Sequence, residues 1–367
     1  MLLEKQIAAN SNSDDWAIQS ELWIAETAKL QKPRRVRERN SNPLILTGHG
    51  TSMRIDKGTL LIKEGFTHHP QKQLVQRFFA GDLELPRIIL LLDGSGSLTF
   101  DVLSWLGEQN VALVRIKSSG EVAVVCSSTG YIANRENVFW QIETQQDDAA
   151  KLAYSIDLIK AKLANSINTL EIAFDSSDRR QKTIQKLQNA ISGLSESQPK
   201  DVQQLRGIEA TCASSYFAVW AGYELQWKSN SRFPIHPNWL KYVGRFSEAN
   251  GLKPKNVNAS HPINAMLNYA YAVKQAELQI KAIADGFDPT IGIMHNGRRG
   301  LPAYIFDQIE PERPLVDRAI LGFVGSRKFS GADFILRSDG VCRLSPQLSR
   351  TIASLAFQVP AAATCVP

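Results

Sequence analysis

The stretch LILTGHGTSMRIDKGTLLIKEG, Leu44 to Gly65, breaks into β-type segments, LILTG, SMRID and TLLIKEG, and Asp56-Lys57-Gly58 supplies the turn chemistry of a hairpin between the last two. A small sheet therefore starts at Leu44. Downstream, Arg87 to Leu92 (RIILLL) reads as a buried strand and Leu98 to Glu108 as a short helix. Val111 to Ile116 and Glu121 to Cys126 read as a second hairpin around Ser118-Ser119-Gly120. From about Asp147 the texture becomes helical: Asp148 to Phe174, Arg179 to Gly193, Val202 to Gln226 and His261 to Gly286 run long without an internal proline beyond the first turn. The expected fold class is α+β, with a small β domain over residues 44–146 followed by an all-α domain over 147–345. Residues 1–43 read as an extension, with a helix around Trp16 to Leu30 and a basic run, Lys32 to Arg39, that either contacts phosphates or is a solvated linker. Residues 346–367 read as a C-terminal tail, frayed from Pro360.

Of the 367 residues 43% are apolar and 21% charged, the balance of a globular chain long enough for two ordinary domains. A formal charge of +6 favours a polyanionic partner, though weakly. Cys126, Cys212, Cys342 and Cys365 are scattered without a CxxC pair, which argues against a zinc knuckle or a disulfide framework. No apolar run approaches the ~20 residues that span a bilayer, and MLLEKQIAANSNSDDW lacks the pattern of a signal peptide. The expected location is the cytoplasm, with no membrane partner.

Three places carry candidate chemistry. Glu209, in Leu205-Arg206-Gly207-Ile208-Glu209-Ala210, lies close to the apolar face of a helix, so its charge needs compensation from either an arginine or a metal ion. His295 opens the loop His295-Asn296-Gly297-Arg298-Arg299-Gly300, where glycines let two arginines approach a phosphate; the alternative is a surface loop with a locally bonded histidine. Asp307 and Glu310 stand three apart, on one face if helical, and would repel unless a cation lies beside them; the alternative is an ordinary acidic surface. Together, two kinds of carboxylate and one imidazole make an oxygen-rich set suited to Mg²⁺ or Mn²⁺ rather than structural zinc. Such an ion polarises a phosphodiester and stabilises charge on its oxygens. Arg206, Arg298 and Arg299 flank these positions and are candidates for phosphate contacts. Asp93-Gly94-Ser95-Gly96-Ser97 lacks the third glycine of a dinucleotide fingerprint and the Gly-Lys-Ser/Thr of a P-loop, and reads as a tight turn. His68-His69 reads as part of a hairpin loop.

The motifs resemble those of the spacer-acquisition integrase family, the first of the CRISPR-associated (Cas) proteins. The resemblance runs over roughly residues 44–345. Its strongest blocks are His261-Pro262-Ile263-Asn264-Ala265-Met266-Leu267-Asn268-Tyr269-Ala270-Tyr271, Gly286-Phe287-Asp288-Pro289, Gly292-Ile293-Met294-His295, and Asp307-Gln308-Ile309-Glu310-Pro311 through Arg318. Gly207-Ile208-Glu209-Ala210 is similar to the family's first catalytic motif, and Lys162-Leu163-Ala164-Asn165 to its first α-domain helix. The resemblance implies a metal-dependent DNA endonuclease and integrase of CRISPR adaptation. Glu209, His295 and Glu310 would hold one divalent ion, Mg²⁺ or Mn²⁺, and Asp307 would be a supporting acid. The 3′-hydroxyl of a short DNA fragment would attack a repeat-boundary phosphodiester, and hydrolysis would be the same chemistry with water. It further implies double-stranded and branched DNA as substrates, a homodimer formed through the β domain, and the small second Cas protein as partner. Departures are His261 where the family is usually acidic, Glu312 where it is usually aromatic, and Ser166 after Asn165; the segment before Leu44 lies outside the family core. Two alternatives remain open: a stand-alone homologue serving a mobile element or branched-DNA repair, and a decayed DNA-binding scaffold.

Overall fold

The computed structural model describes residues 15–117, 120–126, 133–228, 232–245, 258–295 and 301–362. Its sheet is built on β1 (Leu44–Asp56), which runs unbroken where two short segments had been expected, and β2 (Thr59–Lys63). The two pair antiparallel, with Asp56 opposite Thr59. Lys57 and Gly58 both take positive φ, 51° and 77°, the two-residue turn that the Asp-Lys-Gly chemistry predicts. With β3 (Val75–Phe78), β4 (Ile88–Leu98), β5 (Ala112–Ile116) and β6 (Val122–Cys126) the order is β3-β2-β1-β4-β5-β6, and the central β1, β4 and β5 are parallel.

β4 corrects one expectation. Asp93-Gly94-Ser95-Gly96-Ser97 is not a tight turn; the strand continues through it to Leu98 beside β1, with register shifts in β1 between Thr47 and Thr51. Glycine is required here by space. A Cβ on Gly94, whose φ is +70°, would stand 1.9 Å from the Gly48 carbonyl oxygen.

Both faces of the sheet are covered, so its central strands read as continuous apolar runs. Leu46, Leu60, Ile62, Ile89 and Leu113 pack on α2 (Phe100–Glu108) through Val102, Trp105 and Leu106. Ile45, Leu90, Leu92, Val114 and Ile116 face the main core, shared with the helices. Those are α3 (Arg135–Gln146), α4 (Asp148–Ala173), α5 (Asp178–Glu196), α6 (Val202–Val219), α7 (Pro262–Ala284), α8 (Ala303–Gln308), α9 (Arg313–Gly325) and α10 (Pro346–Gln358). The fold is a sheet followed by a mostly helical region, as expected, with two refinements. The helical part begins at α3, whose Gln141 amide donates to the Asp288 and Ile291 carbonyls. It is not wholly helical, since β7 (Gln226–Trp227) pairs with β8 (Lys328–Phe329), and β9 (Phe334–Leu336) with β10 (Cys342–Leu344). No described helix is long and apolar enough to cross a membrane.

The two ends of the chain differ most from expectation. α10 is not a tail: Leu348, Ile352, Ala353 and Ala356 are fully buried against α7 and β1. The helix expected near Trp16 to Leu30 is α1 (Asp15–Leu30), and it is docked rather than tethered. Its Trp23 lies between Phe323 and Phe329 and donates its indole N–H to Asp333 at 2.6 Å. Thr27 bonds Thr351 of α10, and Glu26 pairs with Arg327 at 2.5 Å.

Part of the basic run after α1 is committed to the fold. Arg34 pairs with Glu84 at 2.6 Å, and the Arg39 guanidinium donates to the carbonyls of Leu85, Pro86 and Gln109 at 2.8–3.0 Å. Arg39→Ala is expected to cost about 1–3 kcal/mol in urea unfolding, because it orphans part-buried carbonyls rather than a solvated charge. An unchanged midpoint would return the run to a free linker. His68, in the β2–β3 loop, bonds Glu21 of α1 at 3.0 Å, a local role rather than a metal one.

Candidate active site

The site forms where α4, α6 and residues 291–295 and 303–313 meet. Asn165 of α4 donates its amide to the Pro311 carbonyl at 2.9 Å, and Thr169 its hydroxyl to the Pro314 carbonyl at 2.7 Å. These bonds fix the turn carrying Glu310 against α4. One turn before Asn165, Lys162 lies on the same face, and its ammonium is 2.5 Å from both Glu209 Oε1 of α6 and Glu310 Oε2. Arg313 takes the other oxygen of Glu310, Nε to Oε1 at 3.2 Å. The charge on Glu209 is thus met by a lysine, where an arginine or a metal ion was expected. Burial favours the neutral form of Glu310, yet Lys162 and Arg313 outweigh it and hold its carboxyl at about 2. Burial likewise opposes the charge on Lys162, and Glu310 and Glu209 raise it regardless.

Among the described residues no Lys or Arg side chain bridges Asp307 and Glu310. Asp307, fully buried in α8, is bonded to residues 293–295. One of its oxygens accepts the backbone N–H groups of Ile293 and Met294 (2.6 and 3.1 Å), and the other accepts the His295 backbone N–H and ring Nδ1 (2.9 and 2.7 Å). With four donors on one carboxylate, Asp307 is a positioning acid with its lone pairs in use. Since a carboxylate only accepts, Nδ1 carries the proton and the Nε2 lone pair is left free to act as a ligand or base. Nor is the stretch that follows a solvated surface: Glu312 is fully buried, accepting the Ala362 N–H at 2.8 Å, and Arg313 turns inward to Glu310 and the Tyr271 ring.

Glu209, His295, Glu310 and Arg206 line one cavity of about 280 Å³; Asp307 stands behind its wall, and Arg298 and Arg299 fall outside the described residues. Three further cations line it that the sequence reading did not assign to the site: Lys162, Arg245 and Arg313. Lys162 was visible as the first residue of the Lys-Leu-Ala-Asn block and Arg313 as the second of Glu312-Arg313, but nothing in the sequence marks Arg245. Arg245 is held by Asn264 and Asn268 of α7 (3.3 and 2.8 Å) and lies over Tyr271. Beneath them, Tyr216 and Tyr271 both donate to the buried carboxylate of Asp317. Burial pushes that carboxyl up to about 6 against those hydrogen bonds.

Among the described residues no three His, Cys, Asp or Glu side chains are grouped as ligands of an ion. The donor set nevertheless fits a divalent cation in kind. Two carboxylates already converge on one positive centre, the Lys162 ammonium, and an imidazole with a fixed tautomer lines the same cavity.

The family model for CRISPR associated protein Cas1 matches residues 44–357. "CRISPR-associated protein Cas1 3" of Methanobrevibacter ruminantium is 25% identical over 77% of this chain and 82% of its own length. "CRISPR-associated endonuclease Cas1 1" of Moorella thermoacetica is 28% identical over 59% of this chain and 60% of its own. Among solved structures, a casposase bound to integration product superposes with a TM-score of 0.67 at 23% identity, covering 86% of this chain and 81% of that one. A Cas6-RT-Cas1–Cas2 complex superposes at 0.64 and 18%, covering 89% of this chain and 33% of that one. The sheet order, the helical region behind it and the convergence of Lys162, Glu209, His295 and Glu310 therefore occur within a matched span that takes in nearly all of the described chain, and the chain belongs to the CRISPR associated protein Cas1 family.

Proposed function

We propose that this chain is a metal-dependent DNA endonuclease and integrase of CRISPR adaptation, acting in the cytoplasm in antiviral defence. The observation that carries the reading is the meeting of Glu209, His295 and Glu310, from three separate segments, in one cavity also lined by Arg206, Arg245 and Arg313. Carboxylates and an imidazole beside three guanidinium groups suit a site that takes a cation and a phosphodiester together. Glu209, Glu310 and His295 would hold one Mg²⁺ or Mn²⁺, which supplies polarisation of the phosphodiester and stabilisation of charge on its oxygens.

The chain's own residues do the rest. Asp307 fixes the His295 ring and the backbone that carries it. Arg206 and Arg245, with Arg298 and Arg299 a few residues after His295 in sequence, meet the DNA phosphates, and the guanidinium fork suits that contact. In the reaction the 3′-hydroxyl oxygen of a short DNA fragment bonds to phosphorus at the repeat boundary. The bond from phosphorus to the repeat strand's 3′-oxygen breaks, and that oxygen leaves as a hydroxyl, so a phosphodiester is exchanged and no energy source is consumed. Hydrolysis is the same step with water as nucleophile. The working unit is a homodimer joined through its β domains and bridged by the small second Cas protein, on double-stranded and branched DNA.

The test is strand transfer of a short duplex into a supercoiled plasmid. With Mn²⁺ the wild-type chain joins the two, chelation stops the reaction, and Glu209→Gln is inactive at every Mn²⁺ concentration. Joining by Glu209→Gln at the wild-type rate would remove the metal site from the mechanism.

A further inference from the structure

Lys162 occupies the point at which Glu209 and Glu310 converge, with one 2.5 Å contact to each, and its side chain is only 15% exposed. Without a cation there, two carboxylates would face one another across a small, poorly solvated space, an arrangement that repels strongly at low effective dielectric. A divalent ion offers these oxygens twice the charge and direct coordination. It needs the place the ammonium holds.

We propose that Lys162 is the resident counter-cation of this site: its ammonium holds the Glu209–Glu310 pair in the metal-free chain, and it is displaced when the divalent ion enters. This rests on the metal-site reading above and adds a competitor to it. Displacement needs no movement of the helix. Asn165 and Thr169 anchor α4 to the Pro311 and Pro314 carbonyls, so the lysine leaves by rotating its four-carbon stem. Glu310 does not follow it, because Arg313 holds the other oxygen of that carboxylate. The third carboxylate lining the cavity, Asp317, is already taken up by Tyr216 and Tyr271. The freed ammonium is left to the open side of the cavity, from which DNA phosphates arrive. Apparent affinity for the ion is therefore lower than the ligands alone would give, by the fraction of time the lysine is in place.

The experiment is calorimetric titration of Mn²⁺ alone, without DNA, into the full chain and its variants. Lys162→Met keeps the stem and removes the charge; it is expected to bind Mn²⁺ about tenfold more tightly than wild type. Lys162→Arg puts a two-pronged cation against the same carboxylates and is expected to bind more weakly than wild type. In EDTA, Lys162→Met should unfold at a lower temperature than wild type and regain the difference when Mn²⁺ is added. If Lys162→Met does not fold, the weakening in Lys162→Arg decides alone. Equal or looser binding by Lys162→Met, in a protein whose Mn²⁺ binding is lost in Glu209→Gln, overturns the competition and leaves the metal site standing. No Mn²⁺ binding by wild type or either lysine variant overturns both.

Discussion

His295→Ala is expected to lower strand joining by about a thousandfold or more, while affinity for a short duplex changes by less than about threefold. In the proposed site His295 would be the one nitrogen ligand, and its ring is set by the 2.7 Å bond from Nδ1 to Asp307. A ligand that serves developing charge on the phosphodiester acts mainly in the transition state, so its loss falls on rate. On the proposed function DNA affinity comes from phosphates neutralised along the surface, and removing one imidazole changes that sum little. Joining measured by plasmid strand transfer and affinity by fluorescence anisotropy separate the two quantities. Equal loss of both would mean that His295 anchors DNA. Asp307→Asn sharpens the same test: an amide offers one oxygen where a carboxylate used two, and its NH₂ would face two backbone N–H groups. It should therefore lose joining and also about 1–3 kcal/mol of stability, which His295→Ala should not.

How much of this was legible in the sequence depended on whether the deciding interaction was local. The β1–β2 hairpin was readable because Asp56-Lys57-Gly58 sets its own backbone. The continuation of β4 through Asp93 to Ser97 was not, because glycines that signal a turn locally serve here to let Gly94 pass the Gly48 carbonyl, a contact between residues 46 apart. At the site, residue types were legible and their pairing was not. Spacing put Asp307 and Glu310 on one face, but α8 ends at Gln308, and the two carboxylates turn to different partners. Lys162 appeared in the quoted motif without a role, since an i to i+47 ion pair leaves no trace in periodicity.

Deleting residues 346–367 is expected to abolish cooperative folding rather than trim a tail. α10 fills the space beside α7, α1 and β1 with Leu348 and Ile352, and each such aliphatic side chain removed from a core costs about 2–5 kcal/mol. The polar loss is as serious. Lys274 of α7 is 1% exposed and donates to the Val359 carbonyl at 3.0 Å, and Glu312 is fully buried and accepts the Ala362 N–H. Glu64 of the β2–β3 loop would lose Arg350 at 2.8 Å. Three buried charges would be left short of partners at once, which together with the lost core exceeds the ~5–15 kcal/mol that holds an ordinary domain together. Circular dichroism melts should show no sharp transition for the truncated chain, whereas Leu348→Ala, with the polar contacts intact, melts cooperatively at a lower temperature. A truncated chain that melts within a few degrees of wild type would mean that α10 is dispensable. The position of Glu312 gives the deletion a second consequence: it lies two residues from Glu310, so the segment that closes the core also holds the turn from which Glu310 reaches Lys162 and Arg313.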